Sequence, residues 1–192
     1  MSEYYMITEN FMNNSSSIVI DDRSEYFEDI DNPIVSIASE IISYEEESIK
    51  NTKDFHFFGE IYCNDEIAMI LSKYNPYRLS MYPSKLDDRK GYNILSLSNM
   101  LSCADLNKSE IISNPFYPGQ NKVKVMELYL DIKKLASIPK YKRQMFVISE
   151  AHDRVIVSKE LGKDLLEYLS KNSNSSLMIK PISEDGKVPE LF

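Results

Sequence analysis

The stretch from Met145 to Pro181, MFVISEAHDRVIVSKELGKDLLEYLSKNSNSSLMIKP, restricts the fold more than any other part of the chain. Met145–Ser149 and Arg154–Val157 are short runs rich in β-branched residues, and Glu150–Asp153 between them reads as a polar turn. Ser158 stands where a helix N-cap belongs, because its hydroxyl can accept a bond from an amide two or three residues later. Leu161, Leu165, Leu166 and Leu169 then form one apolar stripe, with Lys159, Glu160, Lys163, Asp164 and Glu167 mostly opposite. Asn172–Ser176 breaks the helix, and Leu177–Ile179 returns as a strand stopped by Pro181. The whole reads strand, turn, strand, helix, strand.

The same order of parts occurs earlier. Ile61–Cys63 predicts a strand, Asn64 a cap, and Asp65-Glu66 an acidic first turn that suits the positive end of a helix dipole. Ile67, Met69, Ile70, Leu71 and Tyr74 carry the helix, Asn75-Pro76 ends it, and Leu79–Tyr82 returns before Pro83. Residues 61–83 and 154–182 therefore share an arrangement without close identity. An internal duplication gives this pattern, and so does independent use of one of the commonest units in mixed proteins. The fold class expected is α+β, with mixed or antiparallel sheets in a single domain over residues 1–192. An acidic part, 1–60, precedes the repeat-containing part, 61–192.

Elsewhere the pattern is less marked. Tyr4–Thr8 and Phe55–Phe58 read as strands, and Ile18–Ile20 as a short strand or an apolar anchor. Ile34–Ile42 fits a helical stripe, although its isoleucines suit strands too. Tyr92–Leu97 predicts a strand, Ser98–Cys103 a turn or short helix, and Lys108–Glu110 a polar loop before a further strand. Asn114-Pro115 and Tyr117-Pro118-Gly119 mark a break. Lys122–Leu130 alternates as a strand with a possible bulge after Val125, and Asp131–Leu135 reads as a connector.

Charge is distributed unevenly. Residues 1–60 carry 14 acids against 3 bases, a net −11, whereas residues 61–192 carry 16 acids against 19 bases, a net +3. The acids cluster at Asp21-Asp22, at Glu25, Glu28, Asp29 and Asp31, and at Glu45-Glu46-Glu47. Such a field repels nucleic acid and anionic lipid and attracts a basic partner; a solvated surface that maintains solubility would carry the same residues. No apolar run has the length of a membrane span. The first residues lack the basic region of a secretory signal, so a cytoplasmic protein is expected. Cys63 and Cys103 lack a CxxC or metal spacing and are expected to be free thiols.

Signals of catalysis do not converge. The chain has two histidines; His152-Asp153 lies in the predicted turn, where adjacent side chains diverge, and His56 stands among phenylalanines. Neither has a ligand at zinc spacing. There is no GxGxxG, Walker loop or GxSxG elbow, so no metal, cofactor or catalytic site is assigned. Lys140-Tyr141-Lys142-Arg143 is a basic patch with one aromatic, too short to indicate nucleic acid.

Taken together, GYNILSLSNMLSCADLNKSEI, IYCNDEIAMIL with its later SMYP, and QMFVISEAHDRVIVSKELGKDLLE with its later MIKPI resemble the ordered motifs of immunity protein family eleven of bacterial polymorphic-toxin systems. The N-terminal YYMI fits the same order. The resemblance spans Ile61–Ile182 plus the first strand; the acidic first third has no counterpart in it. It implies a cytosolic, non-enzymatic antidote that binds a cognate protein toxin delivered by neighbouring or sister cells and blocks it sterically. Nucleases have basic substrate-binding surfaces, which gives the acidic third a role as the matching face. The expected contacts are Asp21, Asp22, Glu25, Tyr26, Phe27, Glu28, Asp29, Glu45, Glu46 and Glu47. Two other readings compete: a small enzyme using His152 and Asp153, and an acidic adaptor module of a secretion system. Oligomeric state is not legible.

Overall fold

A computed structural model describes residues 3–10, 18–20, 40–43, 54–58, 60–86, 89–113 and 123–190. In chain order, β1 (Tyr4–Glu9), β2 (Ile18–Ile20), β3 (Glu40–Ser43), β4 (Phe55–Phe58) and β5 (Glu60–Asn64) precede helix α1 (Asp65–Tyr74). There follow β6 (Leu79–Leu86), β7 (Arg89–Leu97), β8 (Met100–Leu101), β9 (Glu110–Ser113) and β10 (Val123–Tyr129). Helix α2 (Ile132–Ser137) and a 3-10 turn (Lys140–Arg143) lead to β11 (Met145–Ile148) and β12 (Ala151–Ser158). Helix α3 (Lys159–Lys171), β13 (Leu177–Pro181) and β14 (Lys187–Val188) close the order. The strands form sheets ordered β13-β1-β12-β11-β8, β2-β3-β6-β7-β5-β4 and β14-β10-β9, an α+β architecture of mixed and antiparallel sheets.

The two similar sequence units fold alike. In each, two strands joined by a helix are parallel but not adjacent, because a third strand lies antiparallel between them. That strand is β7 between β5 and β6, and β1 between β12 and β13. The spacing follows from geometry. A helix about 10 Å across spans roughly two strand spacings of about 4.8 Å, so a crossover helix covers one open slot in the sheet. An antiparallel hairpin partner, β4 beside β5 and β11 beside β12, adds a fourth strand at the corresponding edge. The halves differ in which part of the chain fills the slot, which follows the unit in one and is the N-terminal strand in the other, and in the further strands, β2 and β3 beyond β6 against β8 beyond β11.

Capping fixes where each helix begins. The Asn64 side chain accepts from the Ile67 amide at 2.9 Å, and Ser158 Oγ accepts from the Leu161 amide at 3.5 Å. Each cap contributes about 1 kcal/mol. Asn75, in the left-handed conformation at φ 43°, ends α1. The helices pack on one another and share a core with one face of each large sheet. Ile67, Leu71, Leu161, Leu165 and Tyr168 meet Ile7, Val155, Val157, Ile61 and Cys63 there. Alternate residues of β1, β11 and β12 (Met6, Phe146, Ile148, Ile156) face the other way, onto Leu128, Leu130, Leu135 and Val188. The β1-containing sheet is thus covered on both sides, which accounts for its near-continuous apolar strands. Tyr62 and Ile94 with Tyr82 and Tyr92 form a smaller cluster on the far face of the other large sheet.

Several expectations are corrected. Glu150–Asp153 is not the turn: Ser149-Glu150 makes it, and His152-Asp153 belong to β12. The register passes from Val147↔Val155 to Ile148↔Ala151, leaving His152–Arg154 as extra, bulged residues of β12. Ser98–Cys103 is neither turn nor helix throughout, because Met100-Leu101 add as a parallel strand to β11. Asp131–Leu135 is a capped helix, with Asp131 Oδ1 accepting from the Lys134 amide at 2.9 Å. The described end of Ile34–Ile42 is strand β3, where β-branched content outweighed the helical stripe; residues 34–39 lie outside the described set. Pro83 does not stop β6, since it precedes the pairing with β3 that begins at Lys85 and a proline is tolerated beside an unpaired side. Met69, 72% exposed, and Leu166, 38% exposed, are off the buried faces, which centre on Ile67, Ala68 and Leu71 and on Leu161, Leu165 and Tyr168. The bulge expected in Lys122–Leu130 is present between Val125 and Glu127.

Gly162 supplies a test of how closely α3 meets its sheet. A Cβ at this position would overlap Cδ2 of Tyr5. Gly162→Ala normally favours a helix by about 1 kcal/mol, but overpacking here costs about 1–3 kcal/mol. A net fall in the urea midpoint is expected, with recovery when Tyr5→Ala is added.

Candidate functional site

A polar cluster joins the two halves. Asp54, directly before β4, accepts at Oδ1 from the amide and hydroxyl of Ser176, both at 2.7 Å, and at Oδ2 from the Tyr168 hydroxyl at 2.6 Å. Asn64 Nδ2 donates to that same phenol oxygen at 3.0 Å, while Asn64 Oδ1 caps α1. Burial, then the bond to Asp54, pushes the Tyr168 phenol well above its ordinary range. The amides of Phe55 and Phe57, alternate residues of β4, donate to Ser176 Oγ at 2.9 Å and to Glu9 Oε2 at 3.1 Å. A sheet edge that would otherwise present free amides is therefore closed by side chains from the other sheet. Ser176 Oγ also lies 2.6 Å from the Phe55 carbonyl, but its single proton serves one acceptor at a time, and the carboxylate is the stronger. His56 Nδ1 is 2.8 Å from Glu9 Oε2 without an aligned hydrogen bond, so the short separation marks a close polar contact between buried groups.

A second cluster lies at the β11–β12 turn. Glu150 accepts from Ser102 Oγ at 2.6 Å, Ser149 Oγ at 3.0 Å and the Cys103 amide at 3.4 Å. Burial alone would raise this carboxyl; the hydrogen bonds outweigh it and hold the group below its usual range. Cys103 and Cys63 are buried free thiols, both pushed up to about 12 by burial first and then by nearby carboxylates. A thiol so far from ionisation is a packing residue and a poor nucleophile.

The third cluster is exposed and cationic. Tyr77 and Tyr141 meet edge to face with centroids 5.4 Å apart. Lys142 Nζ stands 5.3 Å from the Tyr77 centroid and 5.8 Å from that of Tyr141, and the Arg78 guanidinium carbon lies 5.4 Å from Tyr77. The basic run read as isolated in sequence, Lys140–Arg143, is thereby joined by the Tyr77-Arg78 turn that follows α1. Sequence reasoning took Asn75-Pro76 only as a helix stop and so passed over Tyr77 and Arg78. Asp54 was missed because nothing local distinguishes it from the other acids of the first third.

The expected contact residues Asp21, Asp22, Glu25, Tyr26, Phe27, Glu28, Asp29, Glu45, Glu46 and Glu47 all lie outside the described residues. Their points of attachment are defined, since β2 and β3 pair antiparallel with Ile20↔Ile41 and Ile18↔Ser43. In sequence, Asp21 follows Ile20, the last residue of β2, and Glu45 comes two residues after Ser43, the last of β3. The side chains of His152 and Asp153 also fall outside the described set, and His56 is a buried residue of β4. Among the described residues no three His, Cys, Asp or Glu side chains group to hold a metal ion, and no helix is long and apolar enough to cross a membrane. No family model matches the chain, and no curated protein matches it.

Two outcomes are expected from these clusters. Asp54→Ala leaves Tyr168 and Ser176 without their acceptor and should lower unfolding free energy by about 2–4 kcal/mol, read from chemical denaturation. Because its folded-state pKa is depressed, Glu150 adds stability that is present above the unfolded carboxylate range and lost as pH falls through the folded value. The Tm gap between the native chain and Glu150→Gln should accordingly be widest near neutral pH and close on acidification.

Proposed function

We propose that this protein is a non-enzymatic binding protein that neutralises a cognate toxin by covering it, acting in the cytoplasm as the antidote of an antibacterial toxin system. The observation that carries this reading is the charge division along the chain, −11 over residues 1–60 against +3 over the remainder. A field concentrated in one third of a chain steers a basic partner and sets its orientation. Tyr26 and Phe27, set among Glu25, Glu28 and Asp29, supply the aromatic area that interfaces use for affinity. The reading is supported by β2 and β3, described strands within this part of the chain, which join the sheet of β5, β6 and β7. A basic nuclease domain is the partner class that fits.

Co-expression with the product of the adjacent gene tests the proposal. Restored growth is expected, along with a complex of the two purified chains whose association slows as salt is raised. Reversing Glu25, Glu28 and Asp29 to lysine should slow association at least about tenfold. Growth unchanged by this chain, or recovery of secretion-apparatus components in place of one toxin, would remove the proposal.

A further inference from the structure

We infer that the Tyr77–Arg78 turn and the 3-10 turn at Lys140–Arg143 form a second binding surface, opposite in sign to the acidic third, that takes a short acidic peptide segment of a partner protein.

The surface is assembled from parts more than sixty residues apart, and each part is held by buried or backbone contacts. The Arg78 carbonyl accepts from the Ser98 amide at 3.2 Å, and the Leu79 amide closes the turn onto Pro76 at 3.1 Å. The Lys142 carbonyl accepts from Nδ2 of buried Asn99 at 2.7 Å, and the Lys142 amide bonds to Pro139 at 3.0 Å. Arg78 adopts a left-handed backbone, φ 55°, which a non-glycine residue seldom occupies. Its guanidinium carbon stands 5.4 Å from the Tyr77 centroid.

The cations divide by what they already touch. Lys140 pairs with Glu160 at 3.3 Å, and Arg143 donates to the Tyr4 hydroxyl at 2.9 Å. Among the described residues, Arg78 and Lys142 meet no carboxylate, and their recorded side-chain contacts are the faces of Tyr77 and Tyr141. Such stacking orients a guanidinium and an ammonium in advance while leaving their hydrogen-bond donors open. A carboxylate suits the Arg78 fork, a second one suits Lys142, and Tyr141, 54% exposed, offers an apolar edge beside Lys142. Tyr and Arg are also the residues on which interface energy concentrates.

The length of the ligand follows from the net charge. At physiological ionic strength fields decay over about 8 Å. A segment carrying two or so carboxylates samples the local cations alone, whereas a long polyanion extends over a chain whose net charge is −8. The observations therefore favour an acidic peptide over nucleic acid. This surface is independent of the toxin reading, because it rests on different residues and the opposite charge.

The test is fluorescence anisotropy on the full chain with a labelled glutamate–tyrosine peptide. A lysine–tyrosine peptide and a single-stranded oligonucleotide of equal length serve as competing probes. The acidic peptide should bind, and bind more weakly as salt rises. Arg78→Gly, which suits the left-handed backbone, and Lys142→Met, which retains the apolar stem, should each weaken it several-fold and together by about tenfold or more. Lys163→Glu, an exposed charge change on α3, should leave it unaltered. Absence of peptide binding, binding indifferent to Arg78 and Lys142, or an oligonucleotide bound as tightly through the same residues would overturn the proposal.

Discussion

Asp54 and Ser176 form the contact on which the arrangement of the two halves depends. One carboxylate takes hydrogen bonds from Ser176, just before β13, and from the α3 phenol, and that phenol accepts from the side chain capping α1. Hydrogen bonds to an ionised acceptor in a partly dry setting are among the stronger ones in proteins. Their worth here lies in placement: they close the β4 edge against the end of the other sheet while α1 and α3 bury their apolar faces together. Loss of the carboxylate leaves Tyr168 and Ser176 of one half without the acceptor that the other half supplies.

The two halves are one design threaded in two ways. Each places a helix over a pair of parallel strands separated by an antiparallel third, and each begins its helix on the last residue of a strand. In one half the third strand comes after the unit; in the other it is the N-terminal β1, which ties the beginning of the chain to its later part. The cationic turns lie where α1's exit meets the approach to β11.

Much of this was legible because local chemistry and tertiary demand agree. Ser158 and Asn64 read as caps and act as caps, and Val155, Val157, Ile61 and Cys63 face the core as alternation requires. Failures fell where position in the sheet decides the outcome. Met100-Leu101 became a strand by adding to β11, a partner over forty residues away. Leu166 and Met69 looked like core residues by type, but the helix-to-helix contact rotates the buried face onto Tyr168 and Ala68. The cationic surface was half visible, since Lys140–Arg143 is a local run whereas Tyr77-Arg78 joins it only through folding. Nothing in the sequence marks Asp54 as the acid that binds two halves.

Native-state hydrogen exchange at the seam examines the coupling of the halves most directly. If Asp54 and the shared helix core bind them into one cooperative unit, the amides of Phe55, Ile67, Leu161 and Ser176 exchange through a common opening with one free energy and one denaturant dependence. Protection of Leu161 persisting while Phe55 and Ile67 exchange through a separate, lower-energy opening would contradict that coupling.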